Sequence, residues 1–262
     1  MNILISNDDG VNAYGIQAIS EILSKNYNIY IIAPDRERSA AGHSITLNSP
    51  LRVEELEPKY GSIRSWAVSG TPGDCIKIGV NAILSNEERP DLIISGINHG
   101  PNLGHDILYS GTVSCAIEGA MMNIPSIAVS LNSYKPTLDD FLFSAKFIES
   151  LVPKLDRFKF PEKSILNINI PGIAKEDITG VAVTEMGGRM FTDNYEKRID
   201  PRGKVYYWMA GKLTSEKDND NTDITAIRQN KISISPLSFN LTRKDVIEDL
   251  NKVLCNDNIC NW

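Results

Sequence analysis

The amino-acid sequence predicts an α/β fold: a three-layer αβα sandwich around a mostly parallel sheet, with an extended C-terminal arm. Two observations predict the sandwich. Short apolar runs such as residues 2–6 and 91–95 lack polar alternation, as strands covered on both faces do. Segments with apolar residues at helical spacing separate them, the pattern of βαβ units.

The elements follow in order. Residues 2–6 form a buried strand, and 15–25 a helix with Ile16, Ile19, Ile22 and Leu23 on one face. Residues 28–33 form a second strand, ended by Pro34. After extended segments at 51–56 and 62–68, a helix over 72–84 leads to the apolar strand 91–95. A helix over 112–123, a strand over 126–131, a long helix over 138–155 and a strand over 164–170 complete the alternation. Past Pro171-Gly172 the character changes. A strand over 178–186 precedes Gly187-Gly188 and a polar, aromatic-rich stretch holding Tyr206, Tyr207 and Trp208, which are expected at an interface or in the core rather than as a base-stacking platform. The Asn- and Asp-rich segment 215–222 reads as an exposed loop. A strand over 231–235 and a helix over 242–254, N-capped by Thr242 with Asp245 three residues on, close the chain. The expected organisation is a catalytic domain over 1–186, an extended oligomerisation arm over 187–235, and a C-terminal helical segment, 236–262, packed on the core or a partner subunit.

Composition narrows the function classes. A chain of 262 residues with 42% hydrophobic content can bury a large core. Its 27 basic and 33 acidic residues, without a basic run, argue against a nucleic-acid polymer as main ligand. The first residues run straight into a strand without a signal-like segment, and no apolar stretch approaches a membrane span, so a soluble cytoplasmic protein is expected. Cys75, Cys115, Cys255 and Cys260 lack zinc-knuckle spacing; only the last two are close enough in sequence for a disulfide or redox pair, against which free thiols are expected.

In open parallel sheets ligands bind beyond the carboxyl ends of the strands. Three loops there are unusual: Asn7-Asp8-Asp9-Gly10, the run from Asp35 through Ser39 and Gly42 to His43, and Gly96-Ile97-Asn98-His99-Gly100. Adjacent carboxylates repel unless a cation lies between them, and hard oxygen donors suit magnesium or manganese. The competing reading makes Asp8 and Asp9 a cap or an Asx-turn, with Gly10 supplying the bend. Ser39 and Asn98, neutral oxygen donors on the same rim, favour the metal. Ser110-Gly111-Thr112 passes from a loop into a helix, so it is either a phosphate cradle or a simple N-cap. Ser69-Gly70-Thr71-Pro72-Gly73-Asp74 is likewise a cap or a nucleotide contact. His43, His99 and His105 lack the spacing of a helical zinc pair and are expected in loops or beside site residues.

Together, Asn7-Asp8-Asp9-Gly10, Ala33-Pro34 with Ser39, Ser69-Gly70-Thr71-Pro72 with Asp74-Cys75, Ser95 through Asn102, Tyr109 through Val113, and Ser233-Ile234-Ser235-Pro236-Leu237 with Leu241-Thr242 resemble the SurE family of survival-protein nucleotidases. The resemblance spans essentially the whole chain. It implies a Rossmann-like fold with a swapped C-terminal arm, a homodimer or homotetramer, and a metal-dependent phosphatase acting on nucleoside 5′- and 3′-monophosphates, with short polyphosphate as a further substrate. It places one divalent metal per subunit, magnesium or manganese, on Asp8, Asp9, Ser39 and Asn98. Ser110, Gly111 and Thr112, with Gly42, fall near the phosphate. Asp8, Asp9 and Asn98 are the catalytic candidates. One departure is Ser238, where many relatives carry His. An aspartyl-phosphate mechanism fits less well, because adjacent aspartates replace the Asp-x-Asp spacing. A zinc deacetylase fits less well because no His precedes the pair. The alternative from another class is a non-catalytic nucleotide-binding regulatory module.

Overall fold

A computed structural model of the chain describes residues 1–155, 157–188, 194–211 and 219–256. Its centre is a nine-stranded sheet in the order β3-β4-β2-β1-β5-β6-β7-β11-β8. The strands are β1 (Asn2–Ser6), β2 (Asn28–Pro34), β3 (Val53–Leu56), β4 (Arg64–Val68), β5 (Leu92–His99), β6 (Ser126–Asn132), β7 (Ser164–Pro171), β8 (Gly180–Val183) and β11 (Lys231–Ser238). Strands β4, β2, β1, β5, β6 and β7 are mutually parallel. The antiparallel pairings lie outside them, β3 on β4 and β11 on β7. Strands β9 (Tyr195–Ile199) and β10 (Val205–Met209) form a separate antiparallel hairpin.

The apolar strands are the reason for two helical layers. Leu4, Ile32 and Ile93 face a cluster with Cys75, Ile76 and Cys115, so α2 (Pro72–Ile78) and α3 (Gly111–Met121) cover that side. Ile3, Ile5, Ile29, Ile31 and Ile94 face the other cluster, under α1 (Tyr14–Leu23) and α4 (Leu138–Leu155). Ile16, Ile19, Ile22 and Leu23 are all buried, as their spacing predicts. Burying a side chain of this size stabilises by about 1.5–3 kcal/mol, so these clusters dominate the stability of the scaffold under the site.

Several expected elements shift. The helix expected over 72–84 stops at Ile78, and Gly79–Ile83 continues as one wider turn. The closing helix, α6 (Ile247–Asn256), begins five residues after Thr242, behind a 3-10 turn at Lys244–Val246. Thr242 therefore does not cap it; its amide binds Asn240 Oδ1, and Arg243 pairs with Asp245. Strand β11 is interior to the sheet, and the arm boundary expected at residue 235 falls inside it. The helix α5 (Asp223–Arg228) precedes β11 and packs on it. Tyr206, Tyr207 and Trp208 lie on the exposed hairpin rather than in the core. Cys75 and Cys115 are buried, whereas the Cys255–Cys260 pairing involves a residue outside those described.

Candidate active site

Chain order reverses between β1 and β5: β1 is followed through α1 by β2 on one side, while β5 leads to β6 and β7 on the other. A crevice opens at such a point, beyond the carboxyl ends of the strands. Asp8 and Asp9 follow β1, and Asn98 lies near the end of β5, so the switch point gathers all three. Asn7 shapes the first loop: its side chain donates to Gly10 O and accepts from Gly10 N, both at 3.1 Å. Gly10 sits at φ +100°, and a side chain there would press on Arg36. Gly15 allows the second loop to approach, since a Cβ would lie 1.9 Å from Ile97 O.

Asp8 is only 5% exposed. Its Oδ1 accepts from Thr112 Oγ1 at 2.6 Å, and its carbonyl accepts from Arg38 N at 2.7 Å. Burial raises its pKa from 3.8 to about 6; the Thr112 bond opposes this and the neighbouring Asp9 charge adds to it. Burial also raises the pKa of Asp9, with His99 opposing and Glu37 adding. Asp9 Oδ2 accepts from His99 N at 3.3 Å, and Oδ1 lies 2.7 Å from His99 Nδ1. His99 therefore lies against Asp9 through both its backbone amide and its ring, and it opposes the rise that burial imposes. Asn98 donates its Nδ2 to Gly100 O at 2.9 Å.

The helix α3 meets this pair end-on. A Cβ on Gly111 would lie 2.8 Å from Asp8 Oδ2, so glycine is what lets the carboxylate rest against the helix start. Ser110 caps the helix, accepting from Val113 N at 3.0 Å. The amides of Gly111 and Thr112 occupy the first turn, which has no intrahelical acceptor for them, and they point out of the helix end. The structure thus commits the hydroxyls of Ser110 and Thr112 to the cap and to Asp8, and leaves backbone donors for an anion.

The loop after β2 crosses above. Arg38 is tied to Asp8 through its amide and to Ser69 O through Nη2 at 2.6 Å. Gly42 N donates to Tyr109 O at 3.1 Å, joining this loop to the segment before Ser110. Between these anchors Ser39 is exposed, and its hydroxyl donates to Glu37 Oε1 at 2.6 Å rather than turning to the carboxylates. His43 pairs with the buried Glu118 at 2.8 Å and holds its carboxyl below the usual range; Lys77 adds to this. Ser69–Asp74 resolves as a cap: Thr71 and Asp74 bond reciprocally at the start of α2, and Asp74 also accepts from Thr46. Sequence reasoning singled out the aspartates, Asn98 and His99, but not Arg38, Glu118 or Asn7 as partners. Only Asn7, fixed between a strand and Asp-Asp-Gly, carried a usable signal, that of an Asx-turn. Among the described residues no three His, Cys, Asp or Glu side chains converge on one point, so a cation here would draw on neutral oxygens as well.

The doubly wound sheet and the paired carboxylates at its switch point define an α/β protein with acidic oxygen donors gathered at the strand ends beside a helix start. The chain belongs to the SurE family: the family described as Survival protein SurE matches residues 3–193. It is 49% identical over 262 residues to the 5'-nucleotidase SurE of Pelotomaculum thermopropionicum, covering 100% of this chain and 98% of that one. With the 5'-nucleotidase SurE of Thermosynechococcus vestitus it shares 46% identity over 260 residues, 97% of each chain. The crystal structure of SurE protein from Aquifex aeolicus superposes with a TM-score of 0.83 at 38% identity, covering 97% of this chain and 99% of that one.

Proposed function

We propose that this chain is a metal-dependent phosphomonoesterase that cleaves nucleoside 5′-monophosphates, and 3′-monophosphates, to nucleoside and phosphate. The observation that carries the proposal is the Asp8–Asp9 pair, the first carboxylate buried and the second half-buried, at the start of α3. The relatives named 5'-nucleotidase SurE at 49% and 46% identity support the same reading.

The residues fit a divalent cation. The buried Asp8 and the half-buried Asp9 are adjacent carboxylates, both held above their ordinary pKa by desolvation, which a cation between them would relieve. Asp8, Asp9 and Asn98, joined by Ser39 once its hydroxyl leaves Glu37, make an all-oxygen set suited to one magnesium or manganese ion per subunit. Such an ion, when bound, supplies Lewis-acid polarisation of the phosphoryl group and acidifies water.

The chain's own groups supply the rest. Gly111 and Thr112 amides hold the equatorial phosphoryl oxygens, with Ser110 fixing the turn and Gly42 closing the loop across it. Asn98 adds a side-chain contact to the same group. Thr112 keeps Asp8 in one orientation. Asp9, which the His99 amide and ring hold in place, takes the proton of the attacking water.

The exposed apolar residues of the hairpin, among them Tyr195, Ile199, Trp208 and Met209, support an assembly of two or four copies through the 187–222 excursion. Val246, Ile247, Leu250 and Val253 on and beside α6 support a second covered face in that assembly. A monomeric mass in solution scattering would overturn this part. Among the described residues no helix is long and apolar enough to cross a membrane.

A panel of nucleoside monophosphates, an aryl phosphate and short polyphosphate, assayed with magnesium or manganese and with chelator, tests the function. Metal-dependent phosphate release from the nucleotides supports it. Nucleotide binding with no release under any metal would favour the non-catalytic module.

A further inference from the structure

The two ends of the excursion meet at one buried carboxylate. The chain leaves the sheet through Glu185, Gly187 and Gly188 and returns at Asn219. Its root is closed by Glu185 N donating to Asn221 O at 3.0 Å and Asp223 N donating to Glu185 O at 2.9 Å. Asp223 opens α5 under the Thr222 cap and is 1% exposed. Its Oδ1 accepts from Gly187 N at 2.9 Å and from Ile224 N at 2.8 Å, while its Oδ2 accepts from Gly104 N at 2.9 Å. One side chain therefore satisfies backbone donors on the outgoing arm, the returning helix and the loop after β5.

The Gly104 end leads to the site. His105 N donates to Gly188 O at 3.0 Å, and a Cβ on Gly104 would lie 2.0 Å from that oxygen, so the two segments are in direct backbone contact. From Gly104 the chain runs as a six-residue 3-10 helix to Tyr109, whose carbonyl holds Gly42 N, and Ser110 follows at once as the cap of α3. Upstream, Asn102 is fixed by Asn169 and Ser130. Charge-assisted bonds to buried amides are strong and costly to leave unmade.

We infer that Asp223 is a positioning residue that locks the root of the 187–222 excursion to the turn presenting the phosphate-binding amides of α3. Phosphate occupancy and the order of the arm root are then linked, each steadying the other. The inference rests on the reading of Gly111 and Thr112 as phosphate donors given above.

Hydrogen exchange on the full-length wild-type chain with manganese tests it, using inorganic phosphate as the probe. Phosphate is expected to slow amide exchange in residues 103–112 and also in 185–188. In Asp223→Asn the response at 185–188 is lost, and the inhibition constant for phosphate and the KM for a nucleotide rise together by roughly tenfold. A merely structural role would lower the melting temperature and leave both constants unmoved well below it, and that result overturns the inference. Should the variant fail to fold, the wild-type experiment decides alone: slowed exchange at 103–112 with silence at 185–188 refutes the linkage and leaves the site intact. If phosphate slows exchange nowhere and the wild type releases none from nucleotides, the site reading falls and the inference with it.

Discussion

Replacing Asp8 by asparagine in the metal-free protein is expected to stabilise the fold at neutral pH. Burial raises the Asp8 pKa from 3.8 to about 6 in the folded chain. At about 1.4 kcal/mol per unit, keeping this carboxylate ionised in the fold costs ~3 kcal/mol, undiscounted because the side chain is almost wholly out of water. The sign follows from the direction. The folded state binds the proton more tightly than the unfolded state, so stability is greatest below pH 4, falls as pH rises through the interval from about 4 to 6, and stays low above it. Asp8→Asn removes that dependence while its amide oxygen still accepts from Thr112. In chelator at pH 7.5 the variant is expected to melt higher than wild type by roughly 6–12 °C, using about 2–4 °C per kcal/mol for a chain of this size. At pH 4 the difference disappears. Manganese reverses the order at pH 7.5, because only the wild type keeps both carboxylates. Thermal melts followed by circular dichroism with chelator or manganese read all three outcomes. A variant destabilised equally at pH 4 and 7.5 in chelator would refute the argument from burial.

Thr112→Val removes the donor that most opposes the rise in the Asp8 pKa; it is expected to cost about 1.5–3 kcal/mol in urea unfolding and to move the acid limb of the pH–rate profile upward. An unmoved acid limb would show that Asp8 does not feel this bond. Thr71→Ala should cost ~1 kcal/mol through loss of the α2 cap, with kcat and KM for nucleotides unchanged, since that loop is structural; a large rise in KM would instead make it a nucleotide contact. Gly15→Ala forces a Cβ to 1.9 Å from Ile97 O, backbone against backbone, and is expected to destabilise by more than ~3 kcal/mol in the same assay.

Where burial and chemistry agree, the sequence was easy to read. The isoleucine runs of β1, β2 and β5 admit no polar face, so the sheet, its helical cover and the rim carrying Asp8, Asp9 and Asn98 follow from period and composition. Elements whose stability comes from distant contacts were not legible. Helix α5 is only six residues long, and its anchor Asp223 matters through Gly104 and Gly187, far away in the chain. The hairpin β9–β10 exposes both faces and therefore shows no alternation to detect. Thr242 had the residue type of a cap, but Asn240 and the Arg243–Asp245 pair set the local turn and delay the helix. At the site, residue identity revealed the oxygen donors and not their commitments: nothing in the order of residues says that Thr112 belongs to Asp8, that Ser39 turns to Glu37, or that His99 lies on Asp9.

The most direct test compares phosphate release from a nucleoside 5′-monophosphate by wild type and Asp9→Asn across a manganese titration. Metal-dependent turnover is expected in the wild type, and a loss of roughly a hundredfold or more in the variant, with a weakened metal response and a retained fold. An Asp9→Asn protein with unchanged turnover and metal dependence would contradict this role for Asp9.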